Sequence, residues 1–244
     1  MDNLAAKGKR RLASAANQPP PKRLPRGSSS LPRAVVELEQ RKRLVLGTAK
    51  VVAEQGYAAA SVAQIISCAG VSRATFYALF RDKEACFLYG FGKLSNAHLE
   101  EVERAINGPG ALPQRLQNAV SAYLRRINVD HHLARAFIVE AQAATPQVRA
   151  AFNLVLRRLH WGLQSWVDQV RQAYPEVPVP SATDLSLVLN GLQGHVIDQV
   201  RNGNTFSNEQ IVAICRFVFA ALGMAEWAKH VQITAFTTHN FVLY

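Results

Sequence analysis

Apolar residues recur every three or four positions through most of this chain, the period of an amphipathic helix and not of a strand. The first clear run, from about Glu37 to Gln55, ends at Gly56-Tyr57, because glycine takes the left-handed C′ conformation at little cost. Ser61-Val62-Ala63-Gln64 then reads as a capping box opening a second helix, which stops at Ala69-Gly70. Ser72 stands where it caps a third helix, and Asp82 where it caps a fourth. Leu44, Val45, Ala49, Val52, Val62, Ile65, Ile66, Val71, Phe76, Leu79 and Phe80 supply a small apolar core.

Beyond Lys83 the helical period continues in longer pieces. Helix four runs from Lys83 to about Ile106, where Asn107-Gly108-Pro109-Gly110 breaks it. Helix five spans about Pro113 to Asn128, and helix six about His131 to Ala144. Thr145-Pro146 is an N-cap followed by an N1 proline, opening a seventh helix that reaches about Tyr174. Helix eight covers about Ala182 to Arg201. Ser207-Asn208-Glu209-Gln210 is another capping box, and helix nine reaches about Lys229. Residues 230–244 show no clear period.

Helix nine is apolar nearly all round, with Ile211, Cys215, Val218 and Leu222 on one face and Phe217, Ala220, Ala221 and Met224 on another. Such a helix must be covered on two sides, and a partner subunit is the simplest second cover. Helix eight carries Leu187, Gly191, Gly194 and Asp198 on one stripe, where the glycines would admit a partner backbone.

Charge changes this picture at one end only. Residues 1–33 hold eight Lys/Arg against one acid, residues 34–83 seven against four, and residues 84–244 thirteen against twelve. The excess cation thus sits on the tail and the first helices, and a polyanionic partner at that end is the natural reading. The tail, with its Lys-Gly-Lys-Arg-Arg and Pro-Pro-Pro runs, has too little apolar surface to offset its ordering entropy and is expected to be disordered on its own. It lacks the apolar segment of a signal peptide, and the longest apolar run, Phe217 to Ala225, is short of the roughly 20 residues that span a bilayer. No membrane association is expected. Cys68, Cys86 and Cys215 have no metal or redox spacing and read as free thiols of a reducing cytoplasm. The histidines form no metal set: His160 lies on a polar stripe with Arg157, Gln164 and Asp168. No metal, cofactor or catalytic constellation is expected.

Gly70 to Glu84 carries the chemistry. A glycine turn leads into a very short helix bearing Arg73, Thr75 and Tyr77, and a second helix follows with Lys83 in its first turn. A helix-turn-helix reader needs such a turn, a short recognition helix, and donors aimed at phosphates and base edges. Arg73 is placed to pair bidentately with guanine. Thr75, Tyr77 and Lys83 read as phosphate contacts, and Ser61 and Ser72, at helix N-termini, complete the DNA-facing set.

These residues carry a resemblance. Glu54-Gln55-Gly56-Tyr57, Ser61-Val62, Ile65, Ala69-Gly70-Val71-Ser72-Arg73, Thr75-Phe76-Tyr77, Phe80 and Asp82-Lys83-Glu84 together resemble the N-terminal domain of the TetR (tetracycline-repressor) family, over residues 41–87. The chain departs from the family pattern at Gly47-Thr48, at Ala63, and at Ala74, Ala78 and Leu79, which leave the recognition helix poor in polar side chains.

The resemblance implies an all-α fold: an N-terminal three-helix helix-turn-helix DNA-binding domain over 34–87, after the basic tail of 1–33, and a C-terminal helical ligand-binding and dimerisation domain over 88–229, with 230–244 as a final tail. It implies a homodimer sealed by the last two helices of each subunit, through Leu187, Gly191, Gly194, Asp198, Ile211, Cys215, Val218 and Leu222. It also implies an effector pocket, drawn here from Phe91, Ser95, Tyr123, Phe137, Glu140, Phe152 and Trp166, for a largely apolar small molecule. The expected function is a cytoplasmic, ligand-responsive transcriptional repressor on a palindromic double-stranded DNA operator, not an enzyme and without a cofactor. The alternative is a non-specific or architectural DNA-binding protein with no effector.

Overall fold

A computed structural model describes residues 32–231. The expected tails, apart from residues 32–33 and 230–231, lie outside the described residues. Helix α1 (Arg33–Gln55) begins four residues before the expected start. It is followed by α2 (Val62–Ala69), α3 (Arg73–Leu79) and α4 (Lys83–Ile106). The N-caps are those the side chains demand: Ser61 accepts from the Gln64 N–H in a full capping box, Ser72 from Thr75, and Asp82 from Ala85. Gly56 does not take the left-handed helical conformation expected of it. It sits at φ 83°, ψ 156°, an extended positive-φ geometry.

The body follows as α5 (Leu112–Ile127), α6 (residues 131–143), α7 (Pro146–Ala173), α8 (Ala182–Arg201), α9 (Asn208–Ala221) and a single turn α10 (Ala225–Ala228). Helix α6 is not uniform. It starts as α-helix over His131–Ala134, widens into a π-helical stretch over Arg135–Glu140, and closes as α-helix over Ala141–Ala143. Nor does α9 reach Lys229. The chain turns at Leu222–Met224, with Gly223 at φ 79°, and the Met224 N–H donates back to the Phe219 carbonyl at 2.8 Å. That bond, with Gly223 N–H to Ala220, is a Schellman closure, which satisfies carbonyls a continuing helix would have bonded itself.

Two apolar cores form, and α4 serves both. Its Cys86, Phe87 and Phe91 join Leu44, Val45, Val52, Ile65, Phe76 and Phe80 in the core of the N-terminal head. Its Ile106, with Val102 and Ala105 packed alongside, joins Leu116, Leu124, Trp166, Val196 and Phe219 in the core of the body. The head core also recruits Phe137 from α6 and Phe152 from α7, so the expected boundary at residue 87 falls inside a shared helix. Gly90 marks the tightest approach. A Cβ there would lie 2.7 Å from Val45 Cγ1 and 3.1 Å from Phe137 Cζ.

Gly90→Ala should therefore destabilise the protein, although alanine gains about 1 kcal/mol over glycine in a helix. Overpacking costs about 1–3 kcal/mol. In a denaturation cycle, Val45→Ala combined with Gly90→Ala should be more stable than the sum of the two single losses. Strict additivity would show that the close approach carries no strain.

Candidate DNA-reading head and effector cavity

Helices α2 and α3 meet at 105°, within the helix-turn-helix range of roughly 90–120°. The turn is set by Gly70 at φ 62°, ψ 39°, with the Val71 N–H donating to the Ile66 carbonyl at 3.2 Å. Gly70 is needed twice over, because a Cβ there would also lie 2.7 Å from the Arg43 guanidinium. That guanidinium donates to the Gly70 carbonyl at 3.0 Å. Arg41 holds the other end of α3, donating to the Leu79 carbonyl at 3.2 Å while lying over the rings of Phe80 and Tyr89. Helix α1 thus grips the recognition helix at both ends.

The outer face of α3 carries Arg73, Ala74, Tyr77 and Ala78, all exposed. Arg73 lies over the Tyr77 ring at 5.5 Å, so the two side chains are presented together. Thr75 shares a hydrogen bond with the Ser72 hydroxyl at 2.8 Å. The Ser61 N–H, expected to be open to phosphate, instead donates to Gln64 Oε1 at 2.9 Å.

Lys83 departs from the expected phosphate role. Its ammonium donates to the Tyr57 carbonyl at 2.6 Å and the Ala60 carbonyl at 2.8 Å, and lies over the Tyr57 ring at 4.4 Å. Partial burial lowers its pKa. The carbonyls of the α1–α2 loop have no helix to bond into, and a flexible cation from α4 satisfies them. Arg41, Arg43 and Lys83 are therefore spent on the head's own backbone, and among the cations of the head Lys50 and Arg73 remain exposed without an ion pair.

The expected dimer residues divide. On α8, Leu187, Gly191, Gly194 and Asp198 are exposed, Leu187 by 66%, and a Cβ at either glycine would meet open space. Ile211, Cys215 and Val218 on α9, and Leu222 just after it, are buried in this chain's own core. The opposite face is the uncovered one, with Phe217 56% exposed beside Ala213 and Ala220. The helix is thus apolar on both sides, and this chain leaves the Phe217 side uncovered.

The body encloses two adjoining apolar cavities. The larger, of about 260 Å³, lies among α4, α5, α7 and α8. The smaller, of about 100 Å³, lies among α4, α5, α6 and α7. Phe91, Ser95, Phe137 and Phe152 line the smaller cavity, and Tyr123 lines both. Glu140 and Trp166 line neither. Trp166 is fully buried and donates its indole N–H to the Leu112 carbonyl at 2.9 Å, which makes it a core residue. Glu140 lies beside Gly56, at the junction of body and head.

Several lining residues carried no expectation. Gln193 accepts a hydrogen bond from the Tyr123 hydroxyl at 2.7 Å. Arg157 and His160, expected on a solvated stripe, border the larger cavity with Arg158, which pairs with Glu103 at 2.8 Å. His98 stacks on the Tyr123 ring at 4.9 Å and bonds the Tyr123 carbonyl at 3.0 Å. No cluster able to hold a metal is present among the described residues. No single helix among them is long and apolar enough to cross a membrane; the bent pair that has the composition is α2 with α3.

Fold and site together define a helix-turn-helix head on an all-helical body that holds an apolar cavity. Residues 44–89 match the family model of bacterial regulatory proteins, tetR family. Over 115 residues, 47% of this chain, it is 25% identical to the fatty acid metabolism regulator protein of Bacillus subtilis (strain 168), a match that spans 59% of that relative. The fold is similar to that of the fatty acid degradation regulator FadR from Bacillus halodurans, at 20% identity and TM-score 0.64 over 75% of this chain and 94% of that one. It is similar also to FadR from Bacillus subtilis in complex with stearoyl-CoA, at 22% identity and TM-score 0.60, covering 75% and 98% of the two chains.

Two outcomes follow. Lys83→Met should lower stability to chemical denaturation by about 1.5–3 kcal/mol, the range for a hydrogen bond to a charged group. The salt dependence of DNA binding should not change, because the ammonium faces the protein; a shallower salt slope would return Lys83 to the phosphates. Burial pushes the His98 pKa from the usual 6.5 down to about 4, against the opposing pull of the Tyr123 carbonyl and helped by the Arg126 charge. Between those two pH values the unfolded imidazole takes a proton that the folded one refuses. Stability from this site should be full above about pH 6.5 and fall as the pH drops towards 4, and His98→Gln should flatten that slope.

Proposed function

We propose that this chain is a cytoplasmic, ligand-responsive transcriptional repressor, a binding protein and not an enzyme. It acts as a homodimer on a palindromic operator. The observation that carries this reading is the exposed Arg73–Tyr77 face of a capped recognition helix, held at both ends by α1. A dimer of such heads demands half-sites about one helical turn apart, about 34–36 Å. The uncovered apolar face of α9 around Phe217 and the open stripe of α8 around Leu187 supply the dimer seam.

The effector is a long apolar chain with an anionic head, in the manner of an acyl thioester. Three observations support that class. The cavities are walled mainly by apolar side chains, Arg157 and Arg158 stand at the border of the larger one, and a similar structure holds stearoyl-CoA. Occupancy releases DNA only through differential affinity for the two arrangements of the heads. The alternative, a non-specific DNA binder, draws support from Ala74 and Ala78 on the recognition face, which offer no hydrogen bonds to bases. A salt titration on selected and random duplexes separates the two, because a specific reader keeps a large affinity ratio between them.

Arg73→Ala should relax the base preference at one pair per half-site, at a cost of about 1–3 kcal/mol, as read by competition binding on a substituted operator series. Equal losses on operator and random DNA would reduce Arg73 to a phosphate contact. Phe217→Glu should leave a folded monomer that no longer binds the operator, whereas Val218→Asp should unfold the body, because it buries a carboxylate without a partner. Sedimentation and circular dichroism on both variants decide the face. A folded Phe217→Glu dimer would place the seam elsewhere.

A further inference from the structure

The two cavities share a wall. Leu99, Tyr123, Leu156, Leu159 and Gln193 line both. Three of these are aliphatic and can move aside through rotamer changes. The other two are bonded to each other, Tyr123 Oη donating to Gln193 Oε1 at 2.7 Å. The tyrosine ring is fixed in turn by the stacked imidazole of His98. A hydrocarbon tail that passes between Tyr123 and Gln193 breaks their bond and offers nothing to replace it.

What lies behind the wall differs on its two sides. The larger cavity reaches the surface beside Arg157 and Asn190, both exposed. Arg157 has no carboxylate partner among the described residues. The smaller cavity is lined by Phe91, Phe137 and Phe152, which belong to the core of the reading head. The Phe137 ring lies 4.9 Å from Phe87. Two residues before Phe137, in the π-helical stretch, Arg135 donates to the Ala53 carbonyl of α1 at 2.9 Å and to the Arg201 carbonyl of α8 at 2.9 Å. Pressure in the smaller cavity therefore bears on an element tied to both the head and α8, while a ligand confined to the larger cavity touches α8 but not the Phe137 ring that joins the core of the head.

We infer that Tyr123 and Gln193 form a chain-length gate within the effector site. The head of an anionic amphiphile is held at the Arg157 mouth, and its tail fills the larger cavity. Only a tail long enough to part the Tyr123–Gln193 pair enters the smaller cavity and reaches Phe137. Short chains bind without releasing DNA; long chains bind and release it. The gate rests on the acyl-type effector reading given above.

The test uses the full-length protein with octanoyl-, lauroyl-, palmitoyl- and stearoyl-CoA. Calorimetry gives the dissociation constants, and anisotropy of a labelled operator recovered by selection gives release. In Tyr123→Phe the ring stays and the bond goes. Stearoyl-CoA should gain about fivefold in affinity relative to octanoyl-CoA, the worth of one hydrogen bond that no longer has to be broken. The shortest chain that releases DNA should also become shorter. Gln193→Met removes the same bond from the other side, and should shift the stearoyl-to-octanoyl affinity ratio in the same direction. An unchanged ratio in both variants, with binding intact, overturns the gate and leaves the effector reading standing. Failure of every thioester to bind wild type removes the effector reading and the gate with it.

Discussion

A recognition helix of seven residues is too short to stand alone in water, because nucleation costs more than so few hydrogen bonds return. Its presentation to a partner depends on holding it from outside. The means is cationic side chains on backbone carbonyls. Arg43 takes the carbonyl of Gly70 at the turn, Arg41 takes that of Leu79 at the far end, and Lys83 ties the loop before α2 through Tyr57 and Ala60. Hydrogen bonds from charged donors are about twice as strong as neutral ones, and here they act where no helix ladder is available. The rigid frame leaves Arg73 and Tyr77 free to face outward.

The body is built so that its interior is continuous with that frame. Phe91, Phe137 and Phe152 close the smaller cavity on one side and the core of the head on the other. The π-helical stretch of α6 lies between them. Such wide turns occur often at functional sites, since they break the regular ladder without ending the helix. Here the stretch sends Arg135 to carbonyls of α1 and α8 together. The cavity, the helix-turn-helix head and α8 thus meet within a few residues.

Much of the fold was legible in the sequence because its signals are local. Ser61, Ser72, Asp82, Thr145, Ser181 and Ser207 all cap by bonding an N–H three residues on, and five of these are legible directly. The role of Lys83 was not legible, because its partners lie 23 and 26 residues earlier and only the fold brings them near. Gln193 was missed for the same reason: its partner Tyr123 is 70 residues away. For α9, the period shows two apolar faces but nothing in it says which one meets the chain's own core. The π-helical stretch has no residue signature, since Arg-Ala-Phe-Ile-Val-Glu would serve equally in an α-helix. Trp166 was drawn towards the cavity by its size and inward register, but its indole N–H found a carbonyl in the core.

The double service of α4 reaches beyond packing, into how the molecule melts. Neither core can lose this helix and keep its interior, so head and body come apart in one cooperative event. A ligand that binds only the folded body then stabilises the head as well, by about 2.7 kcal/mol when present at a hundred times its dissociation constant. Occupancy of the body then raises the resistance of the head to heat and protease as well, and the chain with neither ligand nor DNA bound is the one more exposed to turnover.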